Sequence, residues 1–390
     1  MEIHYSNIIS KAKSYPFAEI DKKVKQLQEK KITPIDFGIG DPKEPTPQFV
    51  IDALSKAAQA RAADGYPSYI GELSYRESCA FYMQNNFGIG LDPHTEISST
   101  VGSKESIFNF PLGFINPGDI VICPTPGYPV YKIGTEFAGG QPYFVPLLKE
   151  NDFLIDFKSI PEDIAKKAKV IWINYPNSPT GVMAPIEWLR DFVAWANKYD
   201  IIIASDEGCY IDLYFKEKPH SILEIQKEGI ITFYSLSKRS NMTGYRVGFV
   251  AGDAKIIDGF KKVKTNIDSG TPTFIQDAAS LALRDTEHVE FMRQEYARKR
   301  DILIPALESL GFPRTTANST FYIWQEITNG ISDIEFSNKL LDYGIVVTPG
   351  SFISDVADGK NPGENFVRFA LVPTIEEVTK AAEIISKIRF

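Results

Sequence analysis

A lysine flanked by hydroxyl groups and followed by an arginine is the most chemically suggestive feature of this sequence. In the stretch YSLSKRSNMTGYRVGF, Lys238 follows Ser235 and Ser237, and Arg246 stands eight positions after the lysine. Hydroxyl and guanidinium groups are good partners for a phosphate, whereas a lysine amine forms a Schiff base with an aldehyde. The spacing therefore suits a ligand that carries both a phosphate and a carbonyl group.

Three other short segments carry complementary chemistry. Gly102, Ser103 and Lys104 open the segment GSKES, where the free amides of a helix start favour an anion. Asp206 follows an apolar run and suits a protonated ring nitrogen, and Tyr128 suits stacking on a flat ring. Taken singly, a glycine turn, a capping aspartate and a solvated lysine are all common structural features. Taken together, these groups indicate pyridoxal 5'-phosphate, whose ring must stay protonated to act as an electron sink.

The elements that must position these groups alternate along the chain. Helical segments are separated by short apolar runs without alternation, a pattern typical of strands that are covered on both faces. The runs are EISSTV, DIVIC, KVIWIN, DIIIAS, IITFYS and RVGFVAG. Such alternation predicts an α/β fold with a doubly wound, mainly parallel sheet. Ligands bind beyond the carboxyl ends of strands in these sheets, which is where the candidate residues stand.

A second unit is predicted near the end of the chain. From about residue 286 a long polar helix is followed by FYIWQEI, GIVVTPGSF, NFVRFAL and a last helix. We therefore expect a large cofactor-binding domain over residues 46–285 and a smaller α+β domain over residues 286–390. Residues 1–45 are expected to pack on the smaller domain, which is thus built from both termini.

Composition excludes several classes of function. The 390 residues carry a net charge of −8, which gives no electrostatic reason to expect nucleic acid or an anionic membrane as a partner. No apolar run reaches the length of a membrane helix, and no G-x-G-x-x-G segment of nicotinamide enzymes follows the early strands. The three cysteines are scattered without metal-binding spacing, so we expect no metal and a reducing, cytoplasmic setting.

The segments SLSKRSNMTGYRVG, YPSYIGELSYR, DFGIGDP, VVTPGSF and NFVRFAL carry a family resemblance. With them, the chain resembles the fold type I pyridoxal-phosphate aminotransferases of classes I and II over nearly its whole length. The resemblance implies that Lys238 forms the Schiff base and that Arg246 binds the phosphate. It also implies a homodimer with shared active sites, in which Tyr66 reaches the phosphate of the other subunit.

The same resemblance implies the substrate side of the site. The backbone of Ile39 and Gly40 is expected to face the substrate, and Arg368 is expected to bind its α-carboxylate. The partners are then an amino acid and a 2-oxo acid, with the amino group passing from one to the other. Lys238 acts as base and then acid on the α-proton, while Asp206 keeps the ring nitrogen protonated.

Two departures from the family pattern concern cofactor contacts. The family usually has asparagine directly before PTG, but this chain has Ser178 there and Asn177 one position earlier. Either the Ser178 hydroxyl serves through water or Asn177 takes over as cofactor and substrate contact. The family spacing Asp-x-x-Tyr is also one residue longer here, so that Gly208 is expected to form a bulge. Tyr210 is the expected partner of the ring oxygen, with Cys209 as the alternative.

Substrate choice rests on weaker signals. SLSKRSN and DEGCY resemble succinyldiaminopimelate aminotransferases, whereas FGIGDPKEPTP is closer to LL-diaminopimelate and to aspartate or aromatic aminotransferases. We therefore expect a diaminopimelate donor in lysine biosynthesis with 2-oxoglutarate or glutamate as partner; the alternatives are a broad-specificity aminotransferase, a β-lyase or decarboxylase, and a regulator. The distal end of the substrate is expected near Tyr69, Ser14, Tyr15 or the partner's Ser269 region.

Overall fold

The computed structural model describes residue 1 and residues 3–11, 18–29 and 33–389. The helices are α1 (Asn7–Lys11), α2 (Ala18–Glu29), α3 (Gln48–Ala60), α4 (Leu73–Phe87), α5 (Ser103–Phe114), α6 (Pro129–Phe137), α7 (Glu162–Ala165), α8 (Ile186–Lys198), α9 (Leu236–Arg239), α10 (Ala254–Lys264), α11 (Thr273–Arg284), α12 (Glu287–Glu308), α13 (Asp333–Asp342) and α14 (Ile375–Ile385). The strands are β1 (Ile35–Asp36), β2 (Ile97–Thr100), β3 (Ile120–Thr125), β4 (Gln141–Pro146), β5 (Ala168–Ile173), β6 (Ile202–Gly208), β7 (Ile230–Ser235), β8 (Gly248–Gly252), β9 (Tyr322–Glu326), β10 (Ile345–Val346), β11 (Thr348–Pro349) and β12 (Phe366–Ala370). Within the described ranges, no helix is both long and apolar enough to cross a bilayer.

A seven-stranded sheet organises the larger part of the chain. Its strand order is β2-β8-β7-β6-β5-β3-β4, in which β8 runs antiparallel to both neighbours and the other pairs are parallel. The predicted α/β class with a mainly parallel sheet is therefore confirmed. Strand β4 was not predicted, because this edge strand contains two prolines that break the apolar pattern of the other strands.

The central strands are buried because helices cover both faces of the sheet. In β7, Ile231 and Phe233 belong to one apolar cluster, while Ile230 and Tyr234 belong to the cluster on the opposite face. Successive side chains of a strand point to opposite faces, so a strand covered on both sides needs a continuous apolar run. This requirement explains why IITFYS shows no polar alternation.

A second apolar core lies around the antiparallel sheet β11-β12-β9. Helices α12 and α14 pack together at this core, and β1 joins it through parallel pairing of Ile35 with Ile345. Leu27 of α2 packs against Val346, so residues near the start of the chain contact residues near its end. The exact division at residues 45 and 285 stays a prediction.

Candidate active site

A cavity of about 450 Å³ lies where the ends of the large-sheet strands meet the second core. The predicted residues that line it are Ile39, Gly40, Ser103, Lys104, Tyr128, Ser178, Asp206, Tyr210, Ser235, Ser237, Lys238, Arg246 and Arg368. A larger groove of about 660 Å³ lies on the other side of the 178–181 turn and contains none of the predicted residues. The smaller cavity is therefore the candidate active site, since residue chemistry rather than volume identifies it.

Lys238 stands on α9, directly after the end of β7. The hydroxyl of Ser235 caps this short helix by accepting a hydrogen bond from the Ser237 amide at 3.2 Å. The half-buried Lys238 amine donates to the carbonyl of Gly40 and lies 5.7 Å from the ring centre of Phe321. The amine therefore spans from the large sheet to a loop that belongs to the second core.

The candidate phosphate cradle is formed where α5 begins. Gly102 has a φ of +76°, and a Cβ at this position would lie 2.4 Å from Nη2 of Arg246, so no larger residue fits without displacing the guanidinium. Arg246 itself has a φ of 52°, a conformation that costs free energy for a non-glycine residue. Its Nη1 donates to the Thr243 carbonyl at 2.8 Å and lies 3.5 Å from the Ser237 hydroxyl. Helix-start amides, hydroxyl groups and a guanidinium thus converge as an anion requires.

Asp206 has one satisfied and one unsatisfied oxygen. The Tyr131 hydroxyl donates to Oδ2 at 2.7 Å, and the Tyr131 ring is held by stacking on Trp172. Oδ1 is buried and has no hydrogen-bond partner among the described residues. Burial raises the pKa of Asp206 to about 6, while the hydrogen bond from Tyr131 and the nearby Cys209 thiol oppose this shift. A buried carboxylate with a free oxygen in a cavity suits a cationic ligand atom.

The turn before Thr180 contains Asn177 and Ser178, the two alternatives for the cofactor contact. Ser178 lines the cavity, but Asn177 does not. The Asn177 carbonyl oxygen accepts from the Thr180 amide and hydroxyl at 3.1 and 2.8 Å, and its amide donates to the Asn174 carbonyl at 3.1 Å. These bonds occupy the Asn177 side chain inside the turn, so the structure does not bring it into the cavity.

Asn174 was missed by the sequence analysis although it lines the cavity. Its side-chain oxygen accepts from the Ser178 amide at 2.8 Å, and its amide donates to the Asp206 carbonyl. Asn174 therefore ties the end of β5 to the end of β6. Its position directly after the apolar run KVIWI was a signal that could have identified it.

The extra residue before Tyr210 forms a local irregularity in the sheet. The register between β6 and β7 shifts between Ser205 and Gly208, and a Cβ on Gly208 would lie 2.2 Å from the Tyr234 ring. Only glycine fits at this close approach. Cys209 and Tyr210 both line the cavity beyond the bulge, with the Cys209 sulfur 3.2 Å from the Ser103 hydroxyl. Both candidates for the ring-oxygen contact therefore remain.

The substrate side is built around β12 and the loop before α3. Arg368 is 5% exposed, donates to the Gly38 carbonyl at 2.8 Å and lies over the Tyr322 ring at 4.6 Å. A Cβ on Gly40 would lie 2.0 Å from the Tyr322 hydroxyl, so glycine is required for this loop to approach β9. Tyr322, which the sequence analysis missed, thus shapes both the predicted loop and the predicted arginine.

Several predicted residues do not reach the cavity of their own chain. Tyr66 is 88% exposed and Tyr69 is 45% exposed, and neither lines the cavity. A Cβ on Gly270, next to Ser269, would lie 2.6 Å from the Ser68 carbonyl oxygen, so these two loops form one surface. Ser14 and Tyr15 lie outside the described residues.

The arrangement fits pyridoxal phosphate on three independent observations. The unpartnered oxygen of Asp206 suits a protonated ring nitrogen, and the Gly102–Arg246 contact suits a phosphate. The amine of Lys238 lines the same cavity and suits the carbonyl group. Lysine, carboxylate and anion cradle are thus brought together although they are distant in the sequence.

Comparison with known proteins gives consistent matches over almost the whole chain. The sequence profile described as "Aminotransferase class I and II" matches residues 32–385. The LL-diaminopimelate aminotransferase of Aquifex aeolicus is 44% identical over 380 residues, which is 96% of each chain. Substrate-bound BacF from Bacillus subtilis has a TM-score of 0.92 at 32% identity and covers 100% of this chain and 99% of its own.

Another solved structure links the fold to a related activity. A probable N-succinyldiaminopimelate aminotransferase from Thermus thermophilus has a TM-score of 0.87 at 28% identity, and the match covers 96% of this chain and 100% of that one. The profile, the relatives and the solved structures agree with the cavity chemistry. The chain therefore belongs to the class I and II aminotransferases and is a pyridoxal-phosphate-dependent transaminase.

Proposed function

We propose that this protein transfers an amino group between LL-diaminopimelate and 2-oxoglutarate, in the pathway of lysine biosynthesis. The main support is sequence identity to two LL-diaminopimelate aminotransferases. That of Aquifex aeolicus is 44% identical over 96% of this chain, and that of Halothermothrix orenii is 43% identical over 95%. The succinylated form of the substrate is the second candidate, because one solved structure of the same fold carries that description.

Each of the main cavity residues has a separate role in such a transfer. Bound pyridoxal phosphate supplies an electrophilic carbonyl and a ring that withdraws electrons from the α-carbon. Lys238 Nζ removes the α-proton, holds it and returns it, acting as base and then as acid. Asp206 Oδ1 stabilises a proton on the ring nitrogen, and Arg246 holds the phosphate. Arg368 binds the α-carboxylate and so keeps the α-carbon within the same cavity as the Lys238 amine.

Substitution of Lys238 tests this division most directly. Lys238→Ala is expected to lose nearly all turnover, because the amine is both the attachment point and the proton carrier. Borohydride reduction of the wild-type holoenzyme, followed by peptide mass spectrometry, should place the cofactor on Lys238. Lys104 also lines the cavity and is the matched control. A cofactor adduct on Lys104 or on any other lysine would refute the assignment.

The substrate is tested by ratios of kcat/KM. LL-diaminopimelate, its N-succinyl form, aspartate, phenylalanine and alanine are compared as amino donors with 2-oxoglutarate. Polar contacts at the distal end of the substrate discriminate more strongly than apolar fit, so we expect a diaminopimelate donor to lead by at least about tenfold, or about 1.4 kcal/mol. A tenfold preference for alanine or phenylalanine would replace this proposal by a broad or aromatic aminotransferase. Product formation without a 2-oxo acid would instead indicate a lyase.

A homodimer with shared sites is part of the same proposal. Tyr66, Tyr69 and Ile267 are exposed on one chain, although aromatic and aliphatic side chains normally gain stability from burial. The packing of Gly270 against the 68–69 backbone holds the two loops as a single surface. A twofold axis beside this surface would bring Tyr66 of one chain to the phosphate cradle of the other.

Subunit mixing tests the shared site. Tyr66→Ala and Lys238→Ala chains are each expected to form enzymes with little activity. After dissociation and random reassociation, each mixed dimer contains one site with both residues intact, so about one quarter of wild-type activity should return. A mixture of Lys238→Ala with Asp206→Ala chains is the control, because both residues belong to the same side of the site and no activity should return. Full activity of a verified monomer would refute shared sites.

A further inference from the structure

The lysine of the candidate site lies on a helix that cannot hold its own position. Helix α9 contains only four residues, and a single helical turn is unstable without tertiary contacts. Lys238 must nevertheless present its amine at a fixed place while it exchanges protons with the substrate. The residues that follow it, Arg239 and Ser240, are 4% and 0% exposed, so their contacts determine where the helix lies.

Arg239 anchors the helix from one side. Its Nη1 donates to the Ala282 carbonyl at 2.6 Å and its Nη2 to the Asp285 carbonyl at 3.0 Å, both at the end of α11. The Asp212 carboxylate lies 3.0 Å from Nε, an ion pair that lacks hydrogen-bond geometry. The Tyr82 hydroxyl donates to the same carboxylate at 2.8 Å, and the Tyr82 ring lies under the guanidinium at 5.2 Å. The buried charge is thus neutralised and its position is specified.

Ser240 continues the anchor through a second chain of hydrogen bonds. Its hydroxyl lies 2.9 Å from Nε2 of His288, and Nδ1 of His288 contacts the Asp285 carboxylate. Because Asp285 only accepts hydrogen bonds, it fixes the proton of a neutral imidazole on Nδ1 and leaves Nε2 as an acceptor for the Ser240 hydroxyl. His288 lies in the first turn of α12, which leads into the second core.

We propose that Ser240, His288 and Asp285 form a positioning chain that holds α9, and with it the Lys238 amine, against the start of α12. The three groups have the order of a hydrolytic triad, but Ser240 is completely buried and cannot meet a substrate. His288 is therefore a positioning residue that acts through Ser240 and the backbone of α9. This inference rests on the role proposed for Lys238.

The chain has a defined dependence on pH. The charged groups that face His288 are Asp285 beside it, Arg239 on α9 and Asp212, while Phe49 of α3 covers the ring at 5.5 Å. Burial lowers the pKa of His288, and Arg239 adds to this effect while Asp285 opposes it. The neutral form of His288 is therefore favoured, and the group becomes charged at a lower pH than an ordinary histidine. Protonated Nε2 no longer accepts from Ser240. The hydroxyl already accepts from Arg239 Nη1 at 3.3 Å and would have to turn and accept from a second cation, so the chain weakens on the acid side.

Hydrogen–deuterium exchange of the cofactor-free protein tests the positioning chain independently of activity. Hydrogen–deuterium exchange of residues 236–246 is measured in the cofactor-free protein for wild type, Ser240→Ala, His288→Asn and His220→Asn. His220 is the matched control, because its Nδ1 lies 3.0 Å from Glu224 in a similar histidine–carboxylate pair whose histidine is far more exposed than His288. We expect about tenfold faster exchange than in wild type for Ser240→Ala and His288→Asn, as for loss of one buried hydrogen bond. Exchange in His220→Asn should equal that of wild type.

Kinetics of the holoenzyme test the same chain at the Lys238 amine. Both variants should lower kcat by about tenfold with little change in KM, because the substrate contacts through Arg368 are intact. The double variant Ser240→Ala/His288→Asn should lose clearly less than the product of the two single losses, since the Ser240–His288 hydrogen bond is removed in both single variants. In wild type, kcat should fall at acid pH as His288 becomes protonated. This fall should be absent from His288→Asn.

Three results would overturn the inference. The first is hydrogen exchange in His288→Asn equal to that in His220→Asn. The second is a loss of kcat in the double variant equal to the product of the two single losses. The third is a kcat profile of His288→Asn that keeps the wild-type fall at acid pH. Each variant is also reduced with borohydride and digested. If the cofactor is attached to Lys238 in wild type but the variants behave like the control, the positioning chain fails while the proposed function stands. If the cofactor is attached elsewhere in wild type, the proposed function itself fails.

Discussion

Two buried carboxylates lie side by side at the end of β6 and have opposite surroundings. Asp206 faces the cavity with one oxygen bonded to Tyr131 and the other without a partner among the described residues. Glu207 faces the opposite side of the sheet, where Tyr234 and Ser221 donate to Oε1. Its second oxygen accepts from the Ser205 hydroxyl at 3.1 Å and the Ile222 amide at 3.2 Å.

This difference separates a carboxylate available to a ligand from one that serves the fold. Burial raises the pKa of both groups, to about 6 for Asp206 and about 7 for Glu207. A raised pKa therefore does not by itself identify the functional residue. The unsatisfied hydrogen-bonding capacity of Asp206 does, because a buried oxygen without a partner is costly unless a ligand supplies one.

The largest expected effect comes from the isosteric change Asp206→Asn. An amide cannot neutralise a protonated ring nitrogen, so the transition state loses a preorganised charge. We expect kcat/KM to fall by about 10²–10³-fold, or about 3–4 kcal/mol, with the cofactor still bound. Steady-state kinetics and cofactor absorbance measure the two quantities separately. Near-native turnover of Asp206→Asn would reduce Asp206 to a structural residue and would erase its contrast with Glu207.

The pH dependence of stability is the next largest effect. Both carboxyl groups have folded pKa values above their ordinary values of 3.8 and 4.5, so the fold favours their neutral forms. Stability is then full below the unfolded pKa values and is lost as pH rises towards the folded ones. Each shift of about two units corresponds to about 3 kcal/mol. Cofactor-free protein should therefore lose stability as pH rises through the window from about 4 to about 7.

Urea unfolding of the cofactor-free protein at a series of pH values measures this loss. Asp206→Asn should remove the part of the slope that lies between the ordinary value of 3.8 and about 6. Bound cofactor should remove the same part in wild type, because a cationic ring nitrogen stabilises ionised Asp206. The pH dependence of stability that is due to Glu207 should persist in both Asp206→Asn and cofactor-bound wild type. A pH-independent stability of the cofactor-free protein would show that neither carboxyl group is destabilised when ionised.

A smaller and different effect is expected for Glu207→Gln. Glutamine keeps one acceptor oxygen and replaces the other with an amide donor. That donor would face either the Ser221 and Tyr234 hydroxyl groups or the Ser205 hydroxyl and the Ile222 amide, all of which now donate to the carboxylate. One or two buried donors would lose their partners, at a cost of about 1–3 kcal/mol in unfolding free energy. The turnover of the folded holoenzyme should stay within about threefold of wild type. A loss of turnover as large as that of Asp206→Asn would show that both carboxylates act on the cofactor.

The fold was predictable where physical requirements leave a pattern in the sequence. Strands such as β5 and β7 are buried on both faces, so they appear as continuous apolar runs, whereas the proline-containing edge strand β4 does not. Lys238 and Asp206 were found because each follows such a run, whereas Arg368 was implied by the family resemblance of NFVRFAL. The cavity brings the three residues together.

Contacts that depend on tertiary packing left no such pattern. The commitment of Asn177 to its own turn depends on hydrogen bonds to Thr180 and Asn174 that spacing alone does not reveal. Tyr131 contacts Asp206 of β6 from α6, and Tyr322 shapes the cavity from the second core. A sequence read one segment at a time cannot pair such residues, so the chemistry of the site was predictable and its supporting contacts were not.

The smallest effects concern Cys209 and Tyr210, the two residues after the bulge at Gly208, which both line the cavity. The Tyr210 hydroxyl lies 3.2 Å from that of Tyr322, while the Cys209 thiol lies 3.2 Å from the Ser103 hydroxyl. A phenol is the stronger hydrogen-bond donor towards a ring oxygen, so Tyr210→Phe should lower kcat/KM by about tenfold and Cys209→Ser by less than threefold. The pH dependence of the cofactor absorbance in each variant shows which group touches the ring oxygen. A larger shift in Cys209→Ser than in Tyr210→Phe would assign that contact to the thiol and would place the phenol in the packing around Tyr322.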